Sequence, residues 1–161
     1  MIPELVEENT SSANKEKTDG VLNNITDLQL DFWSNFVQYC KEQGRGEDIA
    51  SRKPLGQSWY DVSVGKTDYH GFFNMIGKST LRIGLYIYNV DAFSRLESKK
   101  DLIEQTCGYK MEWYTSRKNS VAKRVVYSTT TDLYDKDKYK DSFEWLINSF
   151  DKLKNALELL D

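Results

Sequence analysis

The segment Thr80 to Tyr88 (TLRIGLYIY) limits what the rest of the chain can become. Leu81, Ile83, Leu85 and Ile87 alternate with Thr80, Arg82, Gly84, Tyr86 and Tyr88. Successive side chains on a strand point to opposite faces, so this is a strand with one oily face and one mixed face. An oily face must be covered, and the amphipathic segments elsewhere in the chain are the available covers.

Those segments read as helices. Thr26-Asp27-Leu28-Gln29 has the form of a capping box, followed by Leu30, Trp33, Phe36, Val37 and Cys40 at helical spacing. This predicts a first helix from about Asp27 to Gln43, stopped at Gly44. A second helix begins at Asn89 or Asp91, carries Phe93, Leu96, Ile103 and Cys107 on one face, and ends at Gly108. The last begins near Asp141 and bears Phe143, Leu146, Phe150, Leu153, Leu157 and Leu160.

Residues 45–57, with Pro54 and Gly56, read as a loop. Four more strands are predicted: Ser58 to Val64, Tyr69 to Ile76, Tyr109 to Tyr114 and Val121 to Ser128. The turns at Gly65 and Gly77 are too short for parallel crossovers, so the strands they join are antiparallel. The expected fold is a two-layer α+β domain in the order α-βββ-α-ββ-α. An antiparallel sheet of about five strands carries helices packed on one face. Residues 1–25 read as a polar, flexible tail or linker remnant, and residues 26–161 as a single domain.

Charge is uneven along the chain. Residues 1–31 carry seven acids and two lysines, whereas residues 32–128 carry fifteen Lys or Arg and ten acids. Residues 129–161 return to eight acids and five lysines, for an overall −3. Bulk charge therefore drives no indiscriminate attraction to nucleic acid or anionic membrane, although a local basic patch is compatible with it. No apolar run approaches the roughly 20 residues that span a bilayer, and no secretion signal opens the sequence. A cytoplasmic protein is expected, with Cys40 and Cys107 as free thiols.

No catalytic or metal signature stands out, and no cofactor is expected. His70 is the only histidine, and a lone strand histidine gives no reason to choose a nucleophile. One histidine and two distant cysteines lack zinc-ligand spacing. The acids from Asp132 to Asp141 lack the glycine and terminal glutamate of a calcium loop. Gly65-Lys66-Thr67 lacks the leading glycine of a phosphate-binding loop, because position 60 is Tyr60. For a metal-dependent nuclease, Asp61 would serve as the first carboxylate. The next two strands contain no acid, and Lys110-x-Glu112 runs in the wrong order.

The strongest local signal is basic and aromatic. Between Tyr109 and Tyr127 stand Lys110, Arg117, Lys118, Lys123 and Arg124 against Glu112, with Trp113 and Tyr114 interleaved. Such residues follow a phosphate backbone and stack on bases. Arg52 and Lys53 would extend this surface, which is a candidate for nucleic-acid or partner binding. The plain alternative is a solvated sheet face. Lys123 and Val125 share a strand face and cannot both point outward without exposing the valine.

Several short motifs resemble a bacterial and archaeal family catalogued as domain of unknown function 4268. They are Leu30-Asp31-Phe32-Trp33, Arg52-Lys53-Pro54, Trp59, Gly65, the Leu81–Ile87 ladder, Ile103-Glu104, Trp113 and Trp145-Leu146. The resemblance spans roughly residues 28–157. Some members look like the C-terminal halves of proteins whose upstream half is similar to a restriction-endonuclease-type nuclease. The resemblance thus implies an accessory role in nucleic-acid processing or defence beside a nuclease-type partner, and carries over no catalytic residue. The order of elements is also similar to that of type III secretion chaperones, acidic dimers that bind extended effector segments. The expectation is a non-enzymatic binding or accessory module, with a divergent nuclease and a chaperone-like dimer as alternatives.

Overall fold

The computed structural model describes residues 24–114 and 123–160. Five strands form one antiparallel sheet: β1 (Trp59–Val62), β2 (Tyr69–Ile76), β3 (Thr80–Ile87), β4 (Glu112–Tyr114) and β5 (Lys123–Thr130). Their spatial order is β1-β2-β3-β5-β4. The first three strands follow the chain as a meander. The connection after β3 then skips one position, so β4 forms the far edge and β5 returns between it and β3. The oily ladder lies as its alternation requires: Leu81, Ile83, Leu85 and Ile87 are 0 to 2 % exposed.

Helices α1 (Ile25–Glu42), α3 (Val90–Glu97), α4 (Lys100–Cys107) and α5 (Tyr139–Glu158) form the second layer. Phe32, Trp33 and Phe36 of α1 are fully buried and meet Tyr60, Phe73, Tyr139 and Phe143 mostly edge to face. Edge-to-face pairs add about 0.5–1.5 kcal/mol each beyond area burial, so this cluster anchors α1 and α5 to the sheet. Burial leaves few polar tips unpaired. The Trp33 indole N–H donates to the Gln57 carbonyl (2.8 Å), and the Tyr60 hydroxyl donates to the Arg52 carbonyl (2.7 Å). The segment from Arg52 to Gln57, which bears little secondary structure, is thereby pinned to the core. Between helices, Arg45 reaches Asp151 (2.6 Å) and Tyr39 donates to Glu144 (2.7 Å).

The elements depart locally from the sequence reading. The first helix starts two residues early, with Asn24 as cap: its Oδ1 accepts from the Asp27 N–H at 2.9 Å. Asparagine caps as well as serine or threonine. Thr26 is used for packing instead, because a side chain at Gly56 would meet the Thr26 methyl at 2.5 Å. The 45–57 loop contains a single helical turn, α2 (Gly46–Ile49), which buries Ile49. The second helix is two helices. At the break the Ser98 hydroxyl takes the Arg95 carbonyl (2.7 Å), offering the backbone an alternative to the helical ladder. The break lets Phe93 of α3 meet the sheet edge while α4 lies along α5. Gly108 ends α4 with φ 84°, a left-handed conformation that glycine adopts at little cost. A 3₁₀ turn, Lys136–Lys138, leads into α5 at Tyr139.

Cys40 and Cys107 are buried free thiols. No helix among the described residues is long and apolar enough to cross a membrane. Of the 1–25 tail only Asn24 and Ile25 are among the described residues, and residues 115–122, between β4 and β5 in the chain, lie outside them.

Candidate binding face

The long helices among the described residues lie on one side, and among those residues no helix covers the other side of the sheet, where Trp59, Tyr86 and Tyr114 are exposed. The strand register sets three rows of side chains across it. One row is Trp59, Asn74, Arg82 and Ser128; the next is Asp61, Phe72, Gly84, Val126 and Glu112; the third is His70, Tyr86, Arg124 and Tyr114. Tyr88 follows Tyr86 beyond the end of β3. Trp59, Tyr86, Tyr88 and Tyr114 are 38 to 47 % exposed, an unusual concentration of large rings on one surface.

Gly84 shapes the middle of this face. A Cβ there would lie 2.6 Å from the Val125 carbonyl oxygen and 2.7 Å from Phe72 Cζ. The Phe72 ring therefore lies across the glycine and is only 8 % exposed. It forms the floor of a shallow basin of about 330 Å³. Trp59 and Tyr86 flank the floor, and Asp61, His70, Asn74 and Arg124 supply polar edges.

His70 is held from three sides. Its Nε2 lies 3.3 Å from Asp61 Oδ1, its Nδ1 lies 2.6 Å from the Tyr88 hydroxyl, and its ring stacks on Tyr86. One neutral tautomer satisfies both contacts: Nε2–H donates to Asp61 and Nδ1 accepts from Tyr88. Arg82 donates from Nε to Ser128 Oγ at 3.3 Å. Among the described residues, neither Arg82 nor Arg124 forms an ion pair.

The residues nominated from sequence separate in space. Arg124 projects from the open face in the same row as Tyr86. Lys123, one residue earlier, lies on the helix-covered side with its Nζ 5.8 Å from the Phe93 ring centre. Buried Val125 (0 % exposed) imposes that choice, since residues 123 and 125 share a face. Trp113 also points toward the helices. It meets Phe93 edge to face and donates from Nε1 to Glu104 (3.2 Å). Lys110 is exposed just before β4. Arg52 and Lys53 are exposed in the segment before β1, at the opposite end of the sheet from the β4–β5 hairpin. They line a separate hollow with Lys41 and Glu47. Arg117 and Lys118 lie outside the described residues.

Sequence reasoning passed over Trp59, Arg82, Tyr86 and Tyr88 as a site. Their signal was present: Arg82, Tyr86 and Tyr88 alternate with the oily ladder, and Trp59 alternates with buried Tyr60 and Val62. It also passed over the Asp61–His70 contact, which depends on β1 and β2 pairing in one particular register. Asp61 turns toward His70, and among the described residues no group of three or more His, Cys, Asp or Glu side chains is placed to hold a metal ion. Neither thiol is primed as a nucleophile: burial pushes Cys40 up to about 12 and Cys107 upward as well.

The fold and this surface define an open-faced α+β domain, one side packed under helices and the other presenting rings and guanidinium groups. Residues 28–160 match the family model described as Domain of unknown function (DUF4268), and the chain belongs to that family. No curated protein and no solved structure shows significant similarity to it.

Proposed function

We propose that this domain is a non-enzymatic module that holds single-stranded nucleic acid on the open face of its sheet. The observation that carries the reading is the row His70–Tyr86–Arg124–Tyr114, with Trp59 and Arg82 two rows away on the same face. Every base has a flat face, so exposed rings on a rigid sheet stack bases without regard to sequence, at about 1–3 kcal/mol per base. Tyr86 stands two strands from Tyr114 in the same row, roughly 10 Å at the usual strand spacing, and two strands and four residues from Trp59, roughly 16 Å. That span suits a short run of unpaired nucleotides. Among the described residues Arg82 and Arg124 have no carboxylate partner, which leaves them available to phosphate oxygens. A duplex hides its base faces, so the surface favours single strands.

Fluorescence anisotropy of a labelled single-stranded nonamer, set against its duplex, tests the reading. Single strands bind more tightly, and binding weakens as salt rises, with a slope of about −0.7 per phosphate contacted. Tyr86→Ala lowers affinity by about 1–3 kcal/mol. Arg124→Ala flattens the salt dependence, whereas Lys140→Ala on the helical side changes neither quantity. Absence of binding at low salt, or equal binding by Tyr86→Ala, overturns the proposal.

A further inference from the structure

We infer that the basin between Trp59 and Tyr86 is a guanine-selective pocket, with Asp61 as the residue that selects the base. The inference rests on the single-strand reading and adds a base identity to it.

The polar groups around the basin are unequal. His70 has both ring nitrogens engaged, by Asp61 and Tyr88, so it offers a ligand neither donor nor acceptor. Its role is to fix the Asp61 carboxylate beside the Phe72 floor. Asp61 Oδ1 receives the His70 contact, while Oδ2 has no partner among the described residues. Asn74 donates from Nδ2 to the Ser58 carbonyl (3.3 Å), which uses one of its two amide hydrogens. The near side of the basin, formed by β1 and β2, therefore offers a carboxylate with accepting capacity to spare. Arg124 lines the same basin from β5 and brings only donors.

A base that satisfies this arrangement needs adjacent N–H groups on one edge and acceptors on another. Guanine has both: N1–H and the N2 amino group stand side by side, and O6 and N7 face the other way. A carboxylate accepts from that N–H pair in a two-pronged contact, and arginine matches O6 and N7. Adenine and cytosine each set a lone amino group beside a ring nitrogen lone pair, which a carboxylate repels. Uracil places its one N–H between two carbonyls. The rings at Trp59, Phe72 and Tyr86 would stack any of the four, so discrimination falls to Asp61.

Four oligouridine nonamers, each with one central G, A, C or inosine, separate the possibilities by anisotropy titration. The expected result is G tighter than A or C by about tenfold, the low end of a two-pronged base contact. Inosine, which lacks the N2 amino group, falls between G and A. Asp61→Asn, which keeps an oxygen for His70, brings the G-to-A ratio to about one, and its melting temperature checks that it is folded. Binding of all four oligomers alike by the native protein overturns the guanine assignment and leaves the single-strand reading in place. Binding of none overturns both. An Asp61→Asn protein that keeps the native G-to-A ratio, or that loses every oligomer equally, removes Asp61 as the selector.

Discussion

Gly84 and Phe72 share the space of one side chain. On the open face the glycine leaves room, and the neighbouring ring lies down into it. Substitution Gly84→Ala puts a methyl 2.6 Å from the Val125 carbonyl, a backbone atom that can yield only if β3 and β5 separate. Overpacking of this kind costs about 1–3 kcal/mol, so Gly84→Ala lowers the urea midpoint. The ring must also lift, which spoils the basin floor. A Gly84→Ala protein as stable as the native one would mean that Phe72 does not lie across residue 84. The alternating pattern of residues 80–88 revealed a strand with a glycine on its mixed face. It could not reveal which neighbour would use the gap, because the Phe72–Gly84 pairing arises from strand register.

Helix ends were legible to the extent that caps are local. Asn89 was one of two candidates, and its Oδ1 accepts from the Ala92 N–H at 2.7 Å. Removing it with Asn89→Ala leaves an N–H of the first turn unpaired and costs about 1 kcal/mol, measurable by urea denaturation. Asp91→Ala, the other candidate, lacks that bond and costs less. The split between α3 and α4 was not legible. Phe93, Leu96, Ile103 and Cys107 satisfy a single helical stripe, and the stripe says nothing about whether its two halves face the same partner. They do not: Phe93 meets Trp113 at the sheet edge, and Cys107 lies against the Lys152 carbonyl of α5. The basic hairpin shows the converse. A run such as Lys123-Arg124 looks like one patch in sequence, yet period-two alternation divides it between the two sides of the sheet.

Across the molecule, several groups ionise less readily in the folded state than in an open chain. The Glu144 carboxylate accepting its hydroxyl, together with burial, pushes Tyr39 up to about 12, and burial does the same to Cys40 and Tyr60. Tyr109 and Tyr139 are raised too, chiefly by burial. A raised value means that the folded state holds the proton more tightly than the unfolded state. Stability is therefore undiminished below the ordinary ranges, near 9 for the thiol and 10 for the phenols, and is lost as pH climbs toward about 12. Urea midpoints should be level from about pH 7 to 8 and fall steeply by about pH 10.5, and a flat profile would show that these groups are exposed. A Tyr39→Phe protein should lose less of its stability over the same interval.

Alternation along 80–88, helical spacing in α1 and α5, and short turns at Gly65 and Gly77 were enough to imply an antiparallel sheet under helices. These patterns are local consequences of where side chains point, and they survive whatever the rest of the chain does. The candidate site had no such local signature. Trp59, Asp61, His70, Tyr86 and Arg124 come from four strands, and only the β1-β2-β3-β5 order and its register bring them to one surface. A strand's own residues state which of them share a side. Which strand lies next to it, and therefore which chemistry meets there, is decided by the packing of the whole sheet.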